Sequence, residues 1–451
     1  MHEPTTSSGP REPHELREPH ELHEPRDREI RGKITLHLVA PLTFLVFLNS
    51  LDRVNVSFAA LRMNADLGLD PKSYGFGVGI FFVAYLLFQF PHTFVLRKIG
   101  PRRWILCAVL FWGCVATAMS AIHDATHFYA LRFLLGIAES GFAPGIVYYM
   151  SMWMPARFRA WAIAGSMLAI PISVIFGGPL SGWLMSIPNP LGMPGWRWMF
   201  LVEGLGTIAA AFFAYRHFVD QPSEARWLSS AEKAWLQAEI ERDRVRAPVP
   251  EGLQSSAQLL RSGRVWASAG VWFSLMSGAY GIIFWLPQMI QQIADVSDIE
   301  VSMLSALPWV GLAAGMQLNA WHSDRTQERY WHIGIPAAIA AAGLVLSSTV
   351  APGWLALAFL VVGGFGLGGA QGVFWALPTS FLGAGSGATA ITLINILGSS
   401  GGLVAPPLIG WIRTESGSFV LAVYALAGLL LLGIGLLALV WRAGSTRGVR
   451  A

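Results

Sequence analysis

Residues 179–184 read Pro-Leu-Ser-Gly-Trp-Leu, and residues 407–412 read Pro-Leu-Ile-Gly-Trp-Ile. The copies stand 228 residues apart, about half of the 451-residue chain. Gly136, Gly141 and Gly145 recur as Gly363, Gly368 and Gly372 at an offset of 227. Two neighbouring matches at nearly one offset point to a duplicated unit of apolar helices. Parallel repeats with a site at their interface are a transporter architecture.

Composition fixes the environment of that unit. Hydrophobic residues make up 54% of the chain and charged residues 13%, against roughly 25% charged in a soluble domain. A soluble enzyme, a disordered chain and a disulfide-stapled domain are excluded; no catalytic centre, cofactor or metal site is expected. The two cysteines, Cys107 and Cys114, lie in one apolar run and read as small core residues.

A helix crosses the hydrocarbon core in about 20 residues. Twelve spans are predicted, at 34–62, 74–96, 104–123, 127–152, 160–187, 197–218, 265–291, 302–322, 331–351, 353–378, 385–412 and 417–441. The expected architecture is an all-α polytopic membrane protein of two pseudo-symmetric six-helix bundles, 34–218 and 265–441. A disordered cytoplasmic tail (1–33), a cytoplasmic linker (219–264) and a short cytoplasmic tail (442–451) complete the chain. The first tail repeats Arg-Glu-Pro-His-Glu-Leu at 11–16 and 17–22, a Pro-punctuated pattern that buries no core. Ser229-Ser230-Ala231-Glu232 in the linker is a capping box, so a helix should follow it.

Basic residues set the orientation. With the N-terminus inside, 25 of the 31 Lys and Arg fall in inner segments and four in outer ones: Arg62, Lys72, Arg197 and Arg413. Both termini are therefore expected in the cytoplasm of a cell whose plasma (inner) membrane holds the chain. The net charge of +4 then faces the anionic leaflet, and nucleic acid is dropped as a partner.

Four ionisable residues lie deep in the spans: Asp52 and Arg53 in the first, Arg132 and Glu139 in the fourth. Each charge costs at least about 2.5–3.5 kcal/mol at the bilayer centre, so they should pair or face a wet cavity. Their depths overlap, and Arg132 and Glu139 are seven residues apart on one helical face. One four-member network near mid-membrane is expected. Its charges sum to zero. Protonating a carboxylate leaves a net positive cavity that attracts an anion, and a bound anion in turn favours the proton. That reciprocity is the physical requirement for symport. Glu203, nearer the outer end and close to Arg197, reads as structural.

The second half carries no comparable interior charge. Its polar candidates include Tyr280, Gln288, Gln317, Asn319, Gln371, Thr392 and Asn395, with Trp285 and Trp375. Such groups read hydroxyls and amides by hydrogen bonds. Charge handling is expected in the first half and hydroxyl recognition in the second.

These residues carry a resemblance. Leu51-Asp52-Arg53-Val54-Asn55 with Ala59-Ala60-Leu61, Arg132 to Glu139, Gly141-Phe142-Ala143-Pro144-Gly145 and Trp285-Leu286-Pro287-Gln288 resemble signatures of the anion:cation symporter family of the major facilitator superfamily. Phe374-Trp375-Ala376-Leu377-Pro378 and the segment around Asn395 resemble its tartrate, phthalate and sugar-acid transporters. The resemblance implies proton coupling at Asp52 and Glu139, anion contact at Arg53 and Arg132, and substrate contacts at Tyr85 and Asn395. It also implies gating loops at Arg102 and Arg103 and at Asp324 and Arg325. Arg97 stands where the first loop of the superfamily usually carries an acid, and Gln89, His92 and Thr93 depart from the closest subgroup.

The expected function is proton-coupled uptake of a small organic anion, a carboxylate such as a sugar acid, tartrate or an aromatic acid, by a monomer in the lipid bilayer. Gly177-Gly178-Pro179 resembles an antiporter motif and supports the alternative, a proton-driven exporter of lipophilic drugs or cations. A non-transporting sensor is a third class. Two buried arginines speak against cations.

Overall fold

The computed structural model describes residues 24–188, 192–246, 261–293, 296–382 and 387–445. The Arg-Glu-Pro-His-Glu-Leu repeats and residues 446–451 lie outside them. Among the described residues the regular elements are helices. The spans are one (Arg28–Asp66), two (Pro71–Ile99), three (Pro101–Ala121), four (Ala125–Trp153), five (Arg157–Ser186), six (Gly195–His217), seven (Gly263–Ile293), eight (Asp298–Thr326), nine (Trp331–Ser347), ten (Gly353–Phe381), eleven (Ala390–Ser416) and twelve (Val420–Arg442). Eleven are long and apolar enough to cross a membrane. Span nine, with 17 residues, is about 26 Å long at 1.5 Å per residue. The chain is thus an all-helical membrane protein of two six-helix halves.

Helix begins earlier than the expected tail boundary at 33. Glu24–Ile34 is helical, with Pro25 in its first turn, where a missing N–H is tolerated. Ile30 and Ile34 are buried and share a pocket wall with Trp161, Trp235 and Leu236. The linker helix Ser230–Arg246 carries its capping box: the Ser229 N–H donates to Glu232 Oε2 at 2.7 Å and the Glu232 N–H to Ser229 Oγ at 3.3 Å. Lys33 reaches the same Glu232 at 2.7 Å, so the chain start is clasped to the linker.

Cys107 and Cys114 are exposed, which corrects their reading as core residues. Seven residues apart, they share one face of span three, and that face is turned out of the bundle.

The duplication has a packing purpose. Within the halves, Gly136 of span four lies against the backbone of Phe81 in span two, and Gly368 of span ten against that of Leu312 in span eight. Between the halves, span eleven packs on span two and span five on span eight. A Cβ on Gly75 would stand 2.6 Å from the Pro406 carbonyl, and one on Gly178 would stand 2.7 Å from that of Ser302. The segments containing Gly182 and Gly410, which the repeat marked, thus form the two seams between the bundles. Small residues allow such backbone approach in helices that cross lipid. Both seams lie toward the end of the molecule whose connections are poor in Lys and Arg. There Arg62 and Asp298 form an ion pair across the halves, and the Lys72 N–H donates to Thr414 Oγ1 at 3.1 Å. Further along the same two spans, Phe82 lies against Gly402. Beyond it Leu87, Phe90 and Phe94 are exposed.

Candidate functional site

Span one places consecutive residues about 100° apart, and this decides the site. Arg53 turns toward span four. Its Nη2 lies 2.8 Å and its Nε 3.2 Å from Glu139 Oε2. Nη2 also donates to Asn49 Oδ1 at 3.3 Å. The guanidinium lies 5.1 Å from the Tyr85 ring centre and 5.5 Å from that of Phe81, and it interacts electrostatically with Tyr280 of the second half. Arg53 keeps 19% of its side chain exposed while Glu139 keeps none, so the cation is the reachable member of the pair.

Asp52 turns the other way, into the first bundle. Its Oδ2 accepts from Trp112 Nε1 at 2.7 Å and Thr207 Oγ1 at 2.9 Å, and its Oδ1 accepts from Asn55 Nδ2 at 3.3 Å. The same Asn55 amide donates to Glu203 Oε2 at 2.8 Å, and Ser181 Oγ donates to Glu203 Oε1 at 3.0 Å. Two buried carboxylates thus share one amide, held only by neutral donors among the described residues. Asp52 and Asn55 border a narrow void that has no room for a water.

Arg132 makes no hydrogen bond to either group, but it borders the same void as Asp52 and Asn55 and its charge acts on Glu139. It is fully buried. Its Nε reaches the Gly77 carbonyl at 3.4 Å, its Nη2 has no partner, and the guanidinium lies 4.7 Å from the Phe81 ring centre. The expected single network is therefore corrected. Arg53 claims Glu139, which ends the helix Ala125–Glu139, and the 100° step separates Asp52 from both. The expected closeness of Glu203 to Arg197 is not a pairing. Arg197 Nη1 donates to the Ser120 carbonyl at 2.7 Å, and Glu203 faces inward. Sequence reasoning also missed Trp112 and Thr207; burial and helix rotation, not motif, bring them to Asp52.

In the second half, Trp375 meets Trp272 and Phe374 edge-on, and Tyr280 packs on Phe82 of the first half at 4.6 Å. Gln288 lies in the seam region, where its Oε1 accepts from Arg413 Nη1 at 2.9 Å. Asn395 is exposed on span eleven. At the basic-rich end, the Arg102 N–H donates to Asp220 Oδ1 and its Nε to the Tyr215 carbonyl, both at 2.8 Å. Asp220, beyond span six, supplies the acid that the loop lacks at Arg97. Arg103 begins span three beside it. Asp324 pairs with Arg329 at 2.8 Å, and Arg325 lies over Trp321 at 4.0 Å.

Two six-helix halves around buried charges are the architecture of a multi-pass membrane transporter. The chain belongs to the Major Facilitator Superfamily, whose family model matches residues 42–406. A relative from Agrobacterium vitis named "Putative tartrate transporter" is 40% identical over 90% of this chain and 93% of its own. A quinolone resistance transporter from Acinetobacter baumannii is 33% identical over 90% of this chain and 94% of its own. In fold, the chain is similar to a bacterial homolog of the human lysosomal transporter Spinster in an inward-facing conformation. The TM-score is 0.70 at 17% identity, over 92% of this chain and 96% of that one.

Proposed function

We propose that the chain imports a small organic anion together with protons by alternating access, as a monomer in the inner membrane with both termini in the cytoplasm. The observation that carries this reading is the Arg53–Glu139 pair, partly open beside a sealed carboxylate pair on the preceding residue. Its charges are two arginines and three carboxylates, Asp52, Glu139 and Glu203. Two carboxylates so close in a dry interior cannot both stay ionised. With one proton between Asp52 and Glu203 the group is neutral. A second proton leaves a net +1, which attracts an anion to Arg53, and the two occupancies reinforce each other reciprocally. Asp52 and Glu139 carry the protons, and Arg53 takes the carboxylate with Tyr85 and Tyr280 beside it. With the basic-rich end inside, the seams close the outer face and the molecule opens to the cytoplasm. Arg102, Arg103, Asp324 and Arg325 then lie at the gate. The relative named for tartrate supports a carboxylate substrate.

The quinolone resistance relative favours a second reading, export of lipophilic drugs. Thermal stability of the purified protein at acidic and neutral pH separates the two. A ligand at 100 times its dissociation constant adds about 2.7 kcal/mol. Stabilisation by tartrate, a sugar acid or an aromatic acid, stronger at acid pH, supports anion uptake. Stabilisation by quinolones or lipophilic cations alone overturns it.

A further inference from the structure

The connection between spans eight and nine closes on itself through side chains. Ser323 Oγ donates to the Glu328 carbonyl at 2.6 Å, and Arg329 Nη1 donates to Ser323 Oγ and to Asp324 Oδ1, both at 2.8 Å. The Glu328 carboxylate turns back onto the start of span nine. It accepts from the Trp331 N–H and from His332 Nδ1, both at 2.9 Å. On the other side of the same ring, His332 Nε2 lies 2.6 Å from Nδ1 of His322 in span eight. Two imidazoles thus join the spans on either side of the connection.

Their partners fix their hydrogens. An ionised carboxylate only accepts, so His332 Nδ1 carries the hydrogen facing Glu328. Neutral His332 then offers a lone pair at Nε2, and His322 Nδ1 donates to it. One added proton is compatible with this bond, because an imidazolium donates to a neutral imidazole. Two are not: both facing nitrogens then carry hydrogen, and two cations stand in contact. The titratable and charged groups around the pair are Asp324 and Arg325 of span eight, Glu328, Arg329 and Tyr330 of the connection, and Arg442 at the end of span twelve. The end of span ten presents the neutral Thr379 and Ser380. Glu328 is held on the far nitrogen of His332 and Asp324 on Arg329, so neither carboxylate stands between the rings.

The connection has room to move. Glu328, Arg329 and Trp331 border an open cavity of about 690 Å³, shared with Thr379, Ser380 and Trp441. Below it the chain is anchored, since Asn319 Nδ2 donates to the His332 carbonyl at 2.7 Å. Release is therefore confined to the connection itself. We propose that His322 and His332 are a pH-operated latch on the second half: bonded, they hold the connection shut, and a second proton frees it with the Asp324–Arg329 pair. Imidazole is the side chain that changes charge between pH 5 and 8. Under the orientation proposed above, the latch faces the cytoplasm and reads its pH. It is separate from the carboxylates that carry transported protons, and it holds whether the cargo is an anion or a drug.

The test is hydrogen exchange at the amides of residues 323–334 in the full-length purified protein, at pH 8 and pH 5. Rates are normalised to an unstructured peptide of the same sequence, which removes the intrinsic pH dependence of exchange. An open form that binds one proton more than the closed form gains about tenfold per pH unit below the free imidazole value near 6.5. Opening should therefore be about 10- to 30-fold greater at pH 5 than at pH 8. His322→Asn places an amide near Nδ1, and His332→Gln places one near Nε2. Each variant keeps a hydrogen-bonding pair with a single imidazole, which remains bonded when charged, so neither should show the rise. Melting temperatures at pH 8 check that the variants fold, and the wild-type comparison stands without them. Equal wild-type protection at the two pH values overturns the latch. So does a rise that persists in either variant, or a folded variant that has lost protection already at pH 8.

Discussion

Asp52 and Arg53 are consecutive on span one and serve different partners. Arg53 reaches Glu139 at 2.8 Å, whereas Asp52 accepts from Trp112 at 2.7 Å inside the first bundle. One helix therefore connects an open cationic site to a sealed carboxylate pair. Under the proposed symport, a rotation of span one moves both and links them mechanically as well as electrostatically.

Asp52→Asn tests the sealed pair. Asparagine keeps the size of the side chain and stands in for its protonated form. The variant should exchange labelled anion across vesicles at a near-normal rate and lose accumulation driven by a pH gradient. Glu203→Gln should lose much of the same accumulation, and the double variant should be no worse than the poorer single, because residues acting as one unit are non-additive. Additive losses would separate Glu203 from the proton step.

The two buried arginines should respond oppositely to removal. Arg53→Met strands Glu139 in a buried position, a change that costs about 3–5 kcal/mol when one partner of a buried pair is lost. It should lower the melting temperature and abolish anion binding. Arg132 has no ion pair among the described residues, so Arg132→Met should leave stability equal or higher. A large stability loss in Arg132→Met would show that its field holds the interior together.

Much of the architecture was legible because it rests on repetition and hydropathy. The copies at 179–184 and 407–412 gave the two halves and fall on the seams, since close helix approach demands the same small residues twice. The Arg53–Glu139 pair was within reach of depth arithmetic, because rise per residue is regular. Glu203 was not. Its depth was read correctly as nearer the outer end of span six, but sequence alone does not show which way a side chain faces on an apolar helix. Arg197 drew attention as its partner only by proximity along the chain.

The clasp between the chain start and the linker should be sensitive to acid. Burial pushes the Glu232 carboxyl up, but hydrogen bonds from Lys33 and Ser229 outweigh it and hold the group below its usual value. A depressed carboxylate contributes stability above its unfolded value, near 4.3, and that contribution disappears as pH falls through the folded value. Protection of the linker helix from hydrogen exchange should therefore persist at pH 6 and fall below about pH 4. Glu232→Ala also removes the half of the capping box that accepts the Ser229 N–H and should cost about 0.3–1.5 kcal/mol locally, with the pH step gone. A pH step that survives in Glu232→Ala would assign it to another group.

The outer seam is open to a steric test. Gly75 of span two faces Pro406 of span eleven so closely that a Cβ would lie 2.6 Å from its carbonyl oxygen. Both partners are backbone, so neither can yield by changing rotamer. Gly75→Val should therefore disfavour the closed outer face and shift the molecule toward the outward-open state, with the halves still folded because the clash lies between them. The readout is labelling of a single cysteine at Ser302 in a variant lacking Cys107 and Cys114, using a membrane-impermeant reagent from outside. Ser302 is buried against Gly178 and Gly182 in the companion seam, so its labelling is slow when the outer face is shut. A shift of about 1.4 kcal/mol in the balance gives tenfold faster labelling. Unchanged labelling, with transport intact, would mean that the seam tolerates a Cβ and that the closed face is held elsewhere, first of all by Arg62 and Asp298.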